Sequence, residues 1–281
     1  MKRVSLYLAA LTAAILVGGC EAVENRFVYY PTHRPEPVCP EGIPLTTYPS
    51  SWRAQPFDLT TADGTRFRAW WCPCPGSSGA ILYCHGTAGD LSHRAEPVVA
   101  LLETLGESVL VFDYPGFGLS EGKPSEAGCY AAADAAYDWL TSTARMPADR
   151  IILYGVSLGG GVAVDLALRR SARALVLVKT FTSIPDVAAH ILPFVPVRRI
   201  MVNQYDNLSK IPRCTQPLFV VSGIRDHLVP YDHGLQLYEA GNEPKQFYPI
   251  EGRRHNQLPP PDFYQALARF LAGTGGGRTE E

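Results

Sequence analysis

Short apolar runs alternate with longer segments of helical character from residue 80 to residue 272, and this alternation restricts the fold more than any other feature. The runs are apolar at nearly every position, which is typical of parallel strands buried on both faces. Such strands, alternating with helices, build an α/β domain with helices on both faces of a mostly parallel, twisted sheet. We predict strands at 80–85, 108–114, 150–155, 174–179, 217–223 and 245–250, and helices near 94–105, 125–143, 158–170, 232–240 and 260–272.

Two segments depart from this alternation. Two β-prone runs flank Asp63-Gly64, a dipeptide typical of hairpin turns, and they predict an antiparallel entry into the sheet. Residues 181–214 are too long for a simple strand-to-helix connection and contain Pro193 and Pro196, so we predict an insertion of short, broken helices. Such an insertion is either a lid over a binding site or additional core packing, and the sequence favours neither.

The N-terminus has the layout of an export signal. Two basic residues precede an apolar run from Val4 to Val17, which is shorter than the roughly 20 apolar residues that span a bilayer. The sequence "VGGC" that follows at 17–20 resembles a bacterial lipobox, in which the signal is removed before a cysteine that becomes lipidated. We predict a lipoprotein signal at 1–19, lipidation of Cys20, and an exported protein anchored to a membrane of the bacterial cell envelope.

The rest of the chain divides into three parts. Residues 20–55 are rich in proline, which disfavours regular helix, and we predict an extended tether that packs onto the domain. Residues 56–272 are predicted to form one domain, since α/β folds of roughly 250 residues commonly do so. The glycine-rich tail at 273–281 is predicted to be disordered.

Composition places the chain among globular proteins and excludes one class of function. Hydrophobic residues make up 46% of the 281 residues, and the net charge of -2 offers no electrostatic footprint for nucleic acid.

Export permits disulfides, but the sequence cannot choose among the possible pairings of its cysteines. Cys72-Pro-Cys74 near Cys84-His85 fits no zinc pattern, so a disulfide or buried thiols are the favoured interpretation.

Ser157 lies in a G-x-S-x-G string, Gly155-Val156-Ser157-Leu158-Gly159, between a predicted strand and a predicted helix. This is the setting of a nucleophile elbow, in which a sharp turn exposes a reactive serine. The two glycines fit this interpretation, because β-carbons at those positions would collide with neighbouring backbone. We therefore predict that Ser157 is a nucleophile.

A serine hydroxyl needs a base to take its proton and a third group to orient that base. In the elbow arrangement the acid and then the histidine follow later in the chain, each after a strand. Asp226 follows the predicted strand at 217–223, and His255 follows the one at 245–250. We predict Ser157, Asp226 and His255 as the catalytic residues.

Other residues near these positions fit the catalytic roles less well. His227 and His233 lie too close to Asp226 in the sequence to bridge it to Ser157, and we interpret both as surface or capping residues. Asp232 is an alternative acid, but it is better interpreted as the N-cap of the following helix.

Two backbone amides are predicted to stabilise the oxyanion that forms during acyl transfer. One is the amide of Leu158, at the start of a helix. The other is the amide of Thr87, in the loop that follows the strand at 80–85. His85 precedes the nucleophile in the chain, so we interpret it as a structural residue that holds this loop.

Three segments, "LYCHGTAGDLSHR", "VLVFDYPGFGLSEGKPSEAG" and "YGVSLGGGVA", together resemble the α/β-hydrolase superfamily, especially its esterase, acyl-thioesterase and serine-aminopeptidase-like members. The resemblance covers about residues 56–271 and implies the α/β-hydrolase fold. The chain departs from many relatives in two places. Thr87 stands where they have asparagine, and Arg253 and Arg254 precede the histidine where they tend to have glycine.

The motifs and the resemblance together predict a serine hydrolase that cleaves carboxylic ester or thioester bonds through an acyl-enzyme. The expected substrate is a small molecule or an acyl or lipid compound, with no cofactor and no metal. An amide-cleaving, aminopeptidase-like hydrolase and a non-catalytic binding protein with the same fold are the alternatives. The anchor predicted at Cys20 adds a membrane as a partner.

Overall fold

A mixed β-sheet lies at the centre of the computed structural model, which describes residues 20–33, 43–44 and 52–274. The predicted signal and Cys39 lie outside the described residues. The strands are β1 (Tyr30–Pro31), β2 (Ile43–Pro44), β3 (Arg53–Thr60), β4 (Arg66–Cys72), β5 (Ala80–Cys84), β6 (Ala88–Gly89), β7 (Ser108–Phe112), β8 (Ile151–Val156), β9 (Ala174–Val178), β10 (Leu218–Gly223) and β11 (Lys245–Ile250). The helices are α1 (Cys20–Val28), α2 (Ala95–Leu105), α3 (Glu126–Ser142), α4 (Leu158–Ala167), α5 (Ile184–Ile191), α6 (Val197–Ile200), α7 (Asn207–Lys210), α8 (Tyr231–Ala240) and α9 (Pro261–Thr274).

Within these ranges, nine strands form one sheet in the order β11-β10-β9-β8-β5-β7-β4-β3-β2. The strands from β11 to β7 pair in parallel, whereas β4 and β3 extend the sheet in antiparallel fashion through the predicted hairpin. Every residue of β5, β7, β9 and β10 is buried, as expected for parallel strands covered on both faces. The predicted α/β fold with a mostly parallel sheet is confirmed.

Helices cover both faces of the sheet because successive side chains of each strand point to opposite sides. In β5, Leu82 belongs to a core that it shares with residues of α3, α4 and α8. The neighbouring Ile81 belongs to a second core, shared with α2 and α9. The carboxyl ends of the parallel strands are thereby left for the loops that carry Ser157, Asp226 and His255.

The predicted insertion at 181–214 contains the short helices α5, α6 and α7, as expected. Ser183 caps α5 by accepting a hydrogen bond from the Asp186 amide at 3.1 Å, and Pro193 and Pro196 separate α5 from α6. Phe181, Tyr205, Ile211 and Cys214 of the insertion belong to the core, and Ile184, Val187, Met201 and Leu208 pack against it. The exposed large apolar residues of the insertion are Ile191, Phe194 and Val202. The insertion therefore adds to the core on one side and presents apolar side chains to solvent on another.

The prediction of an extended tether at 20–55 is wrong at its start, where Cys20–Val28 forms α1. The prolines of this region begin only at Pro31, so none interrupts the helix. From the end of the helix onward, the described residues pack onto the domain. Val28 and Tyr29 are buried, and β1 pairs in parallel with β6.

The predicted disordered tail also begins too early, because α9 continues to Thr274. Residues 275–281 lie outside the described residues. The helices found in the described part of the chain are too short or too polar to cross a membrane.

Candidate active site

Ser157 lies at the sharp turn between β8 and α4, where the elbow motif predicts it. Its φ of 53° is in the left-handed region, which a non-glycine residue adopts only when its surroundings enforce it. Its amide donates a hydrogen bond to the Val178 carbonyl at 2.9 Å. A β-carbon at Gly155 would lie 2.5 Å from the Gly159 carbonyl oxygen, and a β-carbon at Gly159 would overlap the Cys84 carbonyl. Close backbone approach therefore requires both glycines.

Replacing Gly159 with alanine is expected to lower the free energy of unfolding by about 3 kcal/mol, because the new β-carbon would press against backbone. Gly273→Ala in α9 is the matched control, since nothing lies within 4 Å of its β-carbon position. The helix preference of alanine should make this control more stable by about 0.5–1 kcal/mol. Urea unfolding followed by circular dichroism measures both changes. Equal stability of Gly159→Ala and the wild type would contradict the packing of the turn.

His255 connects Ser157 to Asp226 through its two ring nitrogens. Its Nε2 lies 2.9 Å from Ser157 Oγ, and its Nδ1 lies 2.7 Å from Asp226 Oδ2. The other carboxylate oxygen of Asp226 accepts hydrogen bonds from the amides of Leu228 and Val229, both at 3.0 Å. The three residues predicted as catalytic are thus brought together from three separate loops.

Asp226 is held in its charged form. Its side chain is fully buried, and burial acts to raise its pKa. The hydrogen bond and charge of His255 and the two backbone amides outweigh burial and bring the pKa of Asp226 below its usual value. An anionic carboxylate at this position can fix the ring orientation of His255 and would stabilise an imidazolium there.

The two amides predicted for oxyanion binding belong to segments that adjoin Ser157. Leu158 is the first residue of α4, so its N–H has no acceptor within the helix and is available to a ligand. The loop that carries Thr87 packs directly on the nucleophile, since the position of a β-carbon on Gly86 is 3.5 Å from Ser157 Cβ. This placement agrees with the predicted roles of both amides.

His85 is completely buried, and its contacts are those of a structural residue rather than of a catalytic base. Its Nε2 faces Asp113 Oδ1 at 3.3 Å, and its Nδ1 lies 2.7 Å from the Gly86 carbonyl oxygen. Burial lowers the pKa of His85 and raises that of Asp113, which favours their neutral forms. Tyr114 donates a hydrogen bond to the His85 carbonyl at 2.8 Å. These contacts fit the interpretation of His85 as a structural residue for the loop after β5 that carries Gly86 and Thr87, here named the oxyanion loop after its predicted role.

The alternative residues near Asp226 are distributed differently from what the sequence indicates. His227 is exposed, as expected, but His233 is buried and its Nδ1 accepts a hydrogen bond from the Thr182 amide at 3.1 Å. The surface or capping interpretation of His233 is wrong, because the insertion covers it. Asp232 is not an N-cap, since α8 begins one residue earlier at Tyr231 and Pro230 occupies the cap position.

The chain is similar in sequence to two bacterial proteins. It is 36% identical over 272 residues to the uncharacterized protein Rv2307c of Mycobacterium tuberculosis, covering 95% of this chain and 94% of that protein. It is 30% identical over 216 residues to the uncharacterized protein YfhR of Escherichia coli, covering 74% of this chain and 75% of that protein. A family model described as the alpha/beta hydrolase fold matches residues 79–203. The chain belongs to the α/β-hydrolase superfamily.

Solved structures of other α/β hydrolases share the fold of this hydrolase. The esterase Pf2001 of Pyrococcus furiosus superposes with a TM-score of 0.71 at 20% identity, covering 89% of this chain and 98% of that one. An alpha-beta hydrolase of Vibrio vulnificus superposes with a TM-score of 0.63 at 18% identity, covering 79% of this chain and 81% of that one. At such low identity the likeness extends to the fold alone.

The N-terminal segment of this hydrolase is bound to the oxyanion loop. The amide of Tyr30 donates a hydrogen bond to the Thr87 carbonyl at 2.9 Å, and the Thr87 hydroxyl donates to the Val28 carbonyl. The pairing of β1 with β6 continues this contact beyond Thr87. The oxyanion loop is therefore held from outside the domain that the alternating pattern predicts.

The same N-terminal segment also binds the insertion through a buried carboxylate. Glu24 in α1 accepts hydrogen bonds from the amide of Val202 at 2.7 Å, the amide of Asn203 at 2.7 Å and the Asn203 side chain at 2.8 Å. The Tyr29 hydroxyl donates to Asn203 Oδ1 at 2.8 Å. The segment thus ties the insertion to the oxyanion loop, a link that the predicted extended tether does not include.

Glu24→Ala is expected to lower the free energy of unfolding by about 3 kcal/mol, since it leaves two buried donors of Asn203 and the part-buried amide of Val202 without their acceptor. The exposed Glu103, replaced in the same way, is the control and should change stability little. Thermal unfolding measures the loss, and hydrogen exchange should locate it at the amides of residues 202–203. Unchanged protection of those amides would contradict this role of Glu24.

Lys179 is a second residue of the site that the sequence analysis misses. It follows β9 directly, its side chain is buried, and its Nζ lies against the loop that carries His255. A signal for it exists in the sequence. A lysine at the carboxyl end of a fully apolar strand stands where ligands and catalytic groups collect in open α/β sheets.

Cys72, Cys74, Cys84, Cys129 and Cys214 are buried or partly buried free thiols, which favours that interpretation of Cys72 and Cys74 over a disulfide between them. Burial raises the pKa of the Cys72 and Cys129 thiols to about 12, so both are poor nucleophiles.

Across the described residues, no group of three or more histidine, cysteine, aspartate or glutamate side chains is arranged to hold a metal ion.

Proposed function

We propose that this hydrolase cleaves carboxylic ester or thioester bonds, with Ser157 as nucleophile, His255 as base and Asp226 as the residue that orients the base. One observation carries the proposal. The imidazole of His255 lies within hydrogen-bond distance of both Ser157 Oγ, at 2.9 Å, and Asp226 Oδ2, at 2.7 Å. This continuous path for a proton is what turns a weakly nucleophilic hydroxyl into an attacking group.

In the acylation step, His255 Nε2 takes the proton of Ser157 Oγ as the oxygen attacks the carbonyl carbon of the substrate. The tetrahedral intermediate places its negative charge between the amides of Leu158 and Thr87. The imidazolium, stabilised by Asp226, then gives its proton to the leaving alcohol or thiol. The bond to the leaving group breaks and the acyl group remains on Ser157.

Deacylation repeats the same steps with water as the nucleophile. His255 takes a proton from the water, whose oxygen attacks the acyl carbonyl carbon. The same two amides stabilise the second oxyanion, and Ser157 leaves with the proton returned by His255. The products are the carboxylic acid and the regenerated enzyme. The name of the Pyrococcus esterase, a structural neighbour, supports an ester as the substrate class.

A fluorophosphonate probe tests the reactivity of the proposed nucleophile. The purified wild-type protein should be labelled, Ser157→Ala should not, and the surface variant Ser142→Ala should be labelled like the wild type. Absence of Ser157-dependent labelling in folded protein would refute the proposed function. A panel of p-nitrophenyl esters and thioesters, compared with aminoacyl anilides, then separates ester cleavage from the amide-cleaving alternative.

We also propose that the hydrolase is a lipoprotein anchored to a membrane of the bacterial cell envelope through Cys20. The support is the sequence "VGGC" at 17–20, after a basic and then apolar N-terminus. Several acyl chains on one residue would hold the protein on a membrane, which a single chain does only weakly. Mass spectrometry of the N-terminal peptide tests this proposal. An unmodified Met1 or an unlipidated Cys20 would contradict it.

A further inference from the structure

The side chain of Lys179 uses all of its hydrogen-bonding capacity on the loop that carries His255. Its Nζ donates to the carbonyl oxygens of Arg254 at 2.7 Å, His255 at 3.0 Å and Gln257 at 2.7 Å. An ammonium group has three N–H donors, and three acceptors are present here. Lys179 itself is 2% exposed, so water competes little for these donors.

This contact matters because the histidine loop has little other internal structure. The loop spans residues 251–260, between β11 and α9, and contains neither helix nor strand. Arg254 and Gln257 bond to each other within it, through the Arg254 amide and Gln257 Oε1 at 2.8 Å. The Lys179 ammonium is bonded to both of these residues and to His255, and so connects the loop to the end of β9.

The end of β9 also supports the nucleophile. Val178, the last residue of β9, accepts a hydrogen bond from the Ser157 amide at 2.9 Å. Lys179, the next residue, has a φ of 52°, a left-handed conformation that L-residues adopt only when the surroundings enforce it. Two consecutive residues thus hold the two reacting groups, one through a main-chain carbonyl and the other through a side-chain ammonium.

We propose that Lys179 is a positioning residue, whose ammonium form holds the histidine loop so that the His255 ring stays between Ser157 and Asp226. The proposal rests on the proposed function, since it concerns the geometry of the same three residues. Lys179 touches no reacting atom. It acts by fixing the main chain on which His255 stands.

Charge and burial make this support sensitive to alkaline pH. Burial lowers the pKa of Lys179 to about 8, with Asp226 opposing and Arg253 adding to the decrease. Asp226 and Arg253 are the charged groups that act on Lys179, and His255 meets the ammonium through its main-chain carbonyl. A neutral amine has two N–H donors and a lone pair, so one of the three carbonyls would lose its donor above that pH. The loop should then loosen and the turnover rate should fall.

Between pH 8 and 10.5, the contribution of Lys179 to the free energy of unfolding is expected to rise, whereas the turnover rate is expected to fall. The pKa of Lys179 is about 8 in the folded protein, below its ordinary value of 10.5. Between these two values the unfolded chain binds more protons at this residue than the folded one does. The contribution of Lys179 to the free energy of unfolding therefore rises with pH there. If the turnover rate falls while this contribution rises, the loss of activity comes from the position of the histidine loop and not from general loosening of the fold.

The experiment measures kcat and KM for a water-soluble ester, and the rate of fluorophosphonate labelling, from pH 6 to pH 10. Wild-type kcat should decline with a midpoint near pH 8. Lys179→Met should lower kcat by about 100-fold with little change in KM, and should abolish the decline near that pH. Lys179→Gln, which keeps two donors at every pH, should be intermediate and also lack the decline.

Lys210→Met is the matched control, because Lys210 is a partly buried lysine that is bonded to Asp165 and Tyr130, away from the histidine loop. It should keep the wild-type pH profile. Wild-type kcat for Lys179→Met and Lys179→Gln would overturn the proposal while leaving the proposed function intact. If neither variant folds, the wild-type profile decides, since constant kcat from pH 7 to pH 9.5 would overturn it. Absence of Ser157-dependent activity in the wild type would instead refute the proposed function.

Discussion

Replacing Ser157 with alanine is expected to lower kcat for ester hydrolysis by about 10⁶-fold, the loss typical of a serine hydrolase without its nucleophile. The variant should fold normally, because Ser157 is small and its side chain bonds only to His255 among the described residues. Stopped assays with a p-nitrophenyl ester measure the residual rate, and circular dichroism verifies the fold. A loss below about tenfold would show that another group attacks the substrate.

The double variant Ser157→Ala/His255→Ala extends this test. The two residues act as a unit, since the base has no proton to take once the hydroxyl is gone. We therefore expect the double variant to be no slower than Ser157→Ala alone. A further large decrease would mean that His255 acts on the substrate or on water independently of Ser157.

Replacing Asp226 with asparagine is expected to lower kcat by about 10⁴-fold. The amide oxygen can still accept from the Leu228 and Val229 amides, so the loop should keep its shape. The amide nitrogen would face His255 Nδ1 and donate to it, which leaves the proton of the ring on Nε2. A ring in that tautomer cannot take the proton of Ser157.

Asp232→Asn is the matched control for this variant. Asp232 is exposed in the first turn of α8, six residues from Asp226, and it was the alternative acid in the sequence. Its replacement should leave kcat unchanged. If Asp232→Asn were the damaging change and Asp226→Asn were neutral, the acid would be Asp232 and the geometry described for Asp226 would be irrelevant to catalysis.

The parts of the fold that the sequence predicts are those determined by local patterns. Strands such as β5 and β10 are recognisable because each is apolar at nearly every position, and the elbow is recognisable because its glycines stand at fixed distances from Ser157. The order of acid and histidine follows from the position of each after a strand. These signals span a few residues and need no knowledge of distant contacts.

The missed features depend on partners that are distant in the sequence. Glu24 is buried because it meets Asn203, which is 179 residues away, and nothing near Glu24 in the sequence indicates this contact. Lys179 meets the histidine loop 75 or more residues later. The position of His233 close to Asp226 in the sequence suggests a surface or capping residue, whereas the insertion covers this histidine through Thr182. The position of such a residue can stand out in the sequence, as that of Lys179 does, but its partners are known only from the tertiary structure.

The short strand β1 also has a mechanical consequence. A pulling force applied at Cys20 would act first on α1 and on the pairing of β1 with the oxyanion loop, and only afterwards on the nine-stranded sheet. The two pairs of β1 and β6 are few compared with the ladders of the central strands, so they should yield at lower tension. Tension on the N-terminal segment would thus reach Thr87 while the sheet that carries Ser157 is still folded, and the enzyme would lose activity under load before it unfolds.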